Sequence, residues 1–197
     1  MNHAKTKLEV LWRQVVEAGS EHLVLSTDDG IHADSLSVGE IDSTTYRIHY
    51  QLDCDAAWNV QRLRIEDLLL NHVVTLVRGK DNRWSDERNH LLEALDGCVD
   101  VDIMITPFTN TLPIQRLKLK TGQSREIAVV YIGLPGLIVS SFEQRYTCLA
   151  RISEGSIYKY ESLKSGFTAE LNLDVDGLVT DYPDIFRMEA KRRLASD

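Results

Sequence analysis

The sequence predicts an all-β, predominantly antiparallel protein. A strongly curved sheet is expected to form an open roll or incomplete barrel, with one or two short helices. Three observations carry this. Apolar residues recur at every second position in segment after segment, the period of half-buried strands. Clusters of Gly, Asp and Asn break those segments at short intervals. Long apolar runs of the kind a parallel sheet covered on both faces requires are not found.

Taken in order, residues 8–18 fit a short helix or a strand equally well. "HLVLST" (22–27) is a strand, closed by Asp28-Asp29-Gly30. In "TTYRIHYQL", Tyr46, Ile48, Tyr50 and Leu52 share one face and Arg47, His49 and Gln51 the other. "RLRIE" and "VVTLV" follow, ending in the turn signal at 78–82. "SDERNHLLEALDGC" reads as a helix, with Ser85 as N-cap, acids in its first turn and Gly97 as the stop. "LPIQRLKLK" alternates Leu117 and Leu119 with Arg116, Lys118 and Lys120, and reads as a strand. "EIAVVYIG", "FEQRYTCLARI", "SIYKYESL" and "GFTAELNLD" continue the strand series. In "FEQRYTCLARI", Gln144, Tyr146 and Cys148 point one way and Arg145 and Thr147 the other. After Pro183, "DIFRMEAKRRLASD" reads as a second helix with Asp184 at its N-cap. That gives about ten strands and two helices in one domain over residues 1–197.

The chain carries 22 Lys plus Arg against 30 Asp plus Glu, a net charge of −8. This argues against a nucleic-acid binder held by phosphate neutralisation. Its three cysteines, Cys54, Cys98 and Cys148, are far apart and lack zinc-type spacing, so buried free thiols are expected. Glu9 and Arg13 interrupt the apolar N-terminal portion, which rules against a signal-peptide core, and no run approaches the roughly 18 apolar residues of a membrane span. The expectation is a soluble, cytoplasmic protein with no stable membrane insertion. GxSxG, HExxH, P-loop and GxGxxG patterns are lacking. "DVDG" at 174–177 has only half of a calcium loop and reads as a tight turn. No metal and no cofactor is expected.

The most unusual stretch is 105–119, "ITPFTNTLPIQRLKL", with Pro107 and Pro113 bracketing Thr109-Asn110-Thr111. Proline fixes φ and removes a donor, so both stiffen the chain. The three short polar side chains either hold a compact turn or form a rigid rim facing a ligand. The longer run "GCVDVDIMITPFTNTLPIQRLKLKTG" resembles the signature of the "putative glycolipid-binding" family of bacterial proteins. "GSEHLVL", "IHADSLSVG", "YRIHYQLDCDAAW", "EQRYTCL" and "FTAELNLDVDGLVTDYP" resemble further family segments in the same order, from about residue 19 to 186. Gln115 stands where the family pattern carries a basic residue.

The resemblance implies a curved antiparallel sheet wrapped into an open roll, like that of lipid-carrying lipoproteins, and an amphipathic ligand such as a glycolipid. An acyl chain in an apolar trough gains up to ~0.8 kcal/mol per buried CH₂. The polar head needs partners at the mouth. The candidates are Thr109, Asn110, Arg116, Gln144, Arg145, Tyr146, Tyr50, Trp58 and Asp102. Trp58 and the tyrosines suit a sugar face; Arg116 or Arg145 suits an anionic head. Two alternatives remain: a cofactor-free enzyme using Asp102, Arg116, Asn110 and Arg145 in a smaller polar cavity, and an interaction module that recruits a partner strand to an open sheet edge. Ion pairing of Arg116 and Arg145 to Asp100, Asp102 or Asp55 is the structural reading of the same residues.

Overall fold

A computed structural model describes residues 7–194. Fourteen strands run in chain order: β1 Lys7–Gln14, β2 Gly19–Ser26, β3 Ile31–Ile41, β4 Thr44–Cys54, β5 Val60–Asp67, β6 His72–Arg78 and β7 Trp84–Asp86. They continue as β8 Asp100–Ile103, β9 Ser124–Gly133, β10 Ile138–Ile152, β11 Gly155–Ser162, β12 Thr168–Asp174, β13 Val179–Tyr182 and β14 Phe186–Leu194. All belong to one open sheet of order β7-β6-β5-β4-β3-β2-β1-β14-β13-β12-β11-β10-β9-β8. β1–β7 and β9–β14 are simple meanders that meet where β1 pairs with β14, and β8 is added at the free edge of β9. Every pairing is antiparallel except β8 with β9.

The alternation in β4 is realised as expected: Tyr46, Ile48, Tyr50 and Leu52 are buried, and Arg47 and Gln51 exposed. In β10 the inward set is Gln144, Tyr146 and Cys148, until a bulge between Cys148 and Ala150 shifts the register and exposes the strand's end. The two free ends of the sheet are tied together by the chain between them: Trp84 Nε1 donates to Cys98 O at 2.9 Å, and Cys98 Sγ lies 3.2 Å from Ser141 Oγ on β10. Cys54, Cys98 and Cys148 are free and buried.

Three elements depart from the sequence reading. "SDERNHLLEALDGC" is not a helix. Ser85 belongs to β7, and Asp86 Oδ1 accepts the backbone N–H groups of Arg88 and His90, closing a tight turn with Asn89 at φ 63°. Only Glu93–Leu95 forms a single 3₁₀ turn. The C-terminal segment is not a helix either. Asp184 takes a left-handed turn (φ 63°) and β14 pairs along β1; residues 195–197 of the expected helix lie outside the described residues. Pairing that joins the halves overrides the helix-favouring run Met188-Glu189-Ala190-Lys191. Residues 8–14, ambiguous in sequence, are the partner strand.

The third departure reshapes the interior. "LPIQRLKLK" is not a strand. A 3₁₀ turn at Phe108–Asn110 runs into helix α1, Thr111–Leu117, which ends at Lys118 in a left-handed conformation. Pro113 falls in the first turn, where its missing donor costs nothing. Ile105, Thr106, Phe108, Thr109, Asn110, Thr111, Leu112 and Ile114 are all buried. This segment touches both halves of the sheet. Thr106 bonds Glu21 on β2, Asn110 bonds Tyr146 on β10, and Gln115 Nε2 donates to Asp176 O at 2.7 Å beyond β12. Leu119 O accepts from Arg151 Nη2 at 2.9 Å. Residues 104–119 are therefore a plug: they fill the space where the curved sheet was expected to leave an oily hollow.

No helix among the described residues is long and apolar enough to cross a membrane, which leaves β-barrel spanning unaddressed.

Candidate functional site

The plug and the walls it meets build a compact polar cluster around Asp102. β8 places Asp102 on the face opposite Val101 and Ile103, directed at β10 and the plug. Gln144 Nε2 donates to Asp102 Oδ2 at 2.5 Å and to the Tyr160 hydroxyl at 3.1 Å. Thr109 Oγ1 donates to Asp102 Oδ1 at 3.3 Å. Tyr146, fully buried, donates to Asn110 Oδ1 at 2.9 Å and lies 3.3 Å from Gln144 Oε1. Asp102 keeps part of its surface open to a cavity of about 90 Å³. Asn110 and Thr106 line it on the plug side, Tyr131, Tyr160 and Tyr182 on the sheet side, and Met104, Ile185 and Phe186 complete it.

Aromatic edges pack this wall. Tyr160 meets Tyr146 and Tyr182 edge-on at 5.4 and 6.4 Å between centroids, and Phe167, 43% exposed, sits 6.2 Å from Tyr160 and 6.4 Å from Tyr182. Tyr131 stacks on Phe142 at 4.3 Å. Burial raises the Asp102 carboxyl above the ordinary carboxylate value, and the Gln144 and Thr109 donations oppose that rise. Burial likewise raises Tyr131, Tyr146, Tyr160 and Tyr182, with the Asp102 charge adding to it, so these phenols remain neutral hydroxyls at physiological pH.

The two arginines proposed for an anionic head are engaged elsewhere. Arg116 grips Asp100 bidentately, Nη2 to Oδ2 at 2.5 Å and Nε to Oδ1 at 3.1 Å. Arg145 lies on the outer face of β10, paired with Glu126 at 2.5 Å and Glu161 at 3.7 Å. Neither lines the cavity. Trp58 sits in the β4–β5 turn at φ 67°, its backbone N–H on Asp55 O, and is also away from it. Tyr50 is fully buried and bonds Glu21, reaching the cluster only through Thr106. Asp102 and Asn110 thus line the cavity, and Thr109, Gln144 and Tyr146 stand behind them through hydrogen bonds, whereas Arg116, Arg145, Trp58 and Tyr50 belong to neither group. Thr109 and Asn110 are buried in the plug rather than displayed on an open rim.

Sequence reasoning missed Tyr131, Tyr160, Tyr182, Thr106 and Glu21. Tyr160 was findable in part, because it shares the inward phase of β11 with Tyr158. Asp174 Oδ1 accepts the N–H groups of Asp176 and Leu178, so "DVDG" is a side-chain-closed turn. Among the described residues no group of three or more His, Cys, Asp or Glu side chains is placed to hold a metal ion.

Fold and site together define an open antiparallel roll, filled by its own plug, with a small carboxylate–tyrosine pocket where plug and wall meet. The chain belongs to the family described as "Putative glycolipid-binding", which it matches over residues 9–188. It is also similar to a DUF1089 family protein from Pseudomonas aeruginosa known from a crystal structure. The TM-score is 0.77 at 37% sequence identity, over 86% of this chain and 91% of that one. No curated protein matches it.

Proposed function

We propose that this protein binds an amphipathic small molecule through an uncharged sugar head, seated in the Asp102–tyrosine pocket. One observation carries the reading: a partly open carboxyl, without a cation partner among the described residues, faces three neutral phenols and the Asn110 amide in one cavity. Sugar hydroxyls donate well to such a carboxylate, and sugar C–H faces pack on aromatic rings. An anionic head finds no free cation here among the described residues, because Arg116 and Arg145 are already paired. The family description supports a glycolipid as the ligand class.

The cavity's size sets the mode of binding. At about 90 Å³ it holds the volume of about three waters, far below the ~300–1,000 Å³ of pockets that enclose drug-sized ligands. It admits an edge of one sugar ring. The first methylenes of the tail then lie outside, across Phe167 and Met104, which are 43% and 41% exposed. Each methylene covered adds up to ~0.8 kcal/mol.

Saturation-transfer NMR with octyl glucoside below its micellar concentration, octyl phosphate and octanoate tests this. The expected result is transfer to the glucoside alone, strongest at its ring protons. Transfer to octyl phosphate or octanoate with none to the glucoside overturns it.

A further inference from the structure

Glu21 lies on β2 in phase with Leu23 and Leu25 and is fully buried. Three hydroxyls from three different elements converge on one of its oxygens. Ser35 from β3 donates to Oε1 at 2.8 Å, Tyr50 from β4 at 2.6 Å, and Thr106 from the plug at 2.8 Å. The other oxygen, Oε2, is buried without a partner. Thr106 Oγ1 in turn accepts the Phe108 N–H at 3.0 Å, at the start of the turn that carries Thr109 and Asn110. One carboxyl group therefore ties the wall of the roll to the part of the plug that shapes the pocket.

The asymmetry of the two oxygens matters. A proton on Oε2 leaves all three donations to Oε1 in place. Ionisation instead sets a negative charge in a fully buried site with no cation beside it among the described residues, and the three donations, which favour the ionised form, offset only part of that burial cost. The titratable groups facing it are the phenols of Tyr50, in contact, and Tyr46, further along β4; burial and the Glu21 charge hold both above their ordinary value. Paired neighbours Trp12 on β1 and Ser37 on β3 bring no charge.

We propose that Glu21 is a proton-dependent latch and the positioning residue of the pocket: protonated, it holds Thr106 and the following turn against the sheet; ionised, it releases them. Burial pushes its carboxyl from 4.5 up to about 7, so the latch works across the neutral range. Closed plug binds the proton more tightly than open plug, so closure is favoured below pH 4.5 and weakens as pH rises through 7.

Amide hydrogen exchange, corrected for the intrinsic pH dependence of exchange, reads the latch directly. Peptides spanning residues 104–112 should open about tenfold more readily at pH 8 than at pH 6, the ratio for an acid of pKa 4.5 when open and about 7 when closed. Peptides from β5 serve as the reference and should not change. Glu21→Gln should abolish the pH dependence in the plug. If that variant does not fold, Tyr50→Phe removes one donor and should move the pH window upward. A plug whose protection is independent of pH, a Glu21→Gln variant with the wild-type dependence, or a Tyr50→Phe variant with an unmoved window overturns the latch. None of these readouts involves a ligand, so a pocket that fails to bind sugar leaves the latch standing, and the reverse holds as well.

Discussion

Asp100 and Asp102 stand two residues apart on one face of β8, and their surroundings differ in kind. Asp100 is fully buried and held by both ends of the Arg116 guanidinium, itself only 18% exposed. Burial raises its pKa and the bidentate cation opposes that. Asp102 has an amide and a hydroxyl donor, no cation, and an opening to a cavity. The difference teaches how to separate scaffold from site among buried acids. A carboxylate neutralised by a dedicated arginine fixes α1 to β8. A carboxylate left with neutral donors and a free approach is available to a ligand.

Substitutions can break this contrast. Asp100→Ala leaves Arg116 buried without its partner and should cost about 3–5 kcal/mol of unfolding free energy in urea titration. A loss under 1 kcal/mol would place Asp100 with Asp102 as a dispensable acid. Glu21 sharpens the comparison as a buried acid with neutral donors but no opening. Its raised pKa favours the folded state below pH 4.5, and that contribution fades as pH rises through about 7, a change of roughly 3 kcal/mol. Measured at pH 5 and 8, Glu21→Gln should flatten this dependence; an unchanged slope assigns it to other groups. Asp102→Asn keeps an acceptor for Gln144, relieves a buried charge and should change stability by about 1 kcal/mol or less. Its effect belongs in ligand binding. Smallest of all, Arg145→Ala removes exposed pairs on the outer face and should leave both the unfolding midpoint and sugar binding unchanged.

Where period two meant a strand facing a core, the sequence was readable. β4, β10 and β12 show it, because one face of each was bound to be apolar whatever the topology. The plug was not readable. Leu117 and Leu119 alternate with basic residues as a strand would, but a segment buried on nearly all sides carries no face signal, and two prolines fit either a stiff loop or a helix's first turn. β14 was hidden by residues of high helix propensity, which yield when the strand is needed to join two half-sheets. Within the site, Thr109 and Asn110 stood out through the unusual stretch, Gln144 and Tyr146 through the inward phase of a strand, and Asp102 through the longer signature run. Tyr131, Tyr160 and Tyr182 come from three separate strands, and only the roll brings them together. Glu21 left a trace that could have been used: an acid in phase with Leu23 and Leu25 is an inward-pointing charge, and such a residue requires a partner network.

In the proposed reading Asp102, rather than any arginine, recognises the ligand's head. Calorimetric titration of the wild-type protein and Asp102→Asn with the same octyl glucoside, below its micellar concentration, tests it most directly. The wild type should bind in the millimolar range, about −4 kcal/mol, and the variant at least about tenfold more weakly. Equal affinity in the two proteins would contradict it.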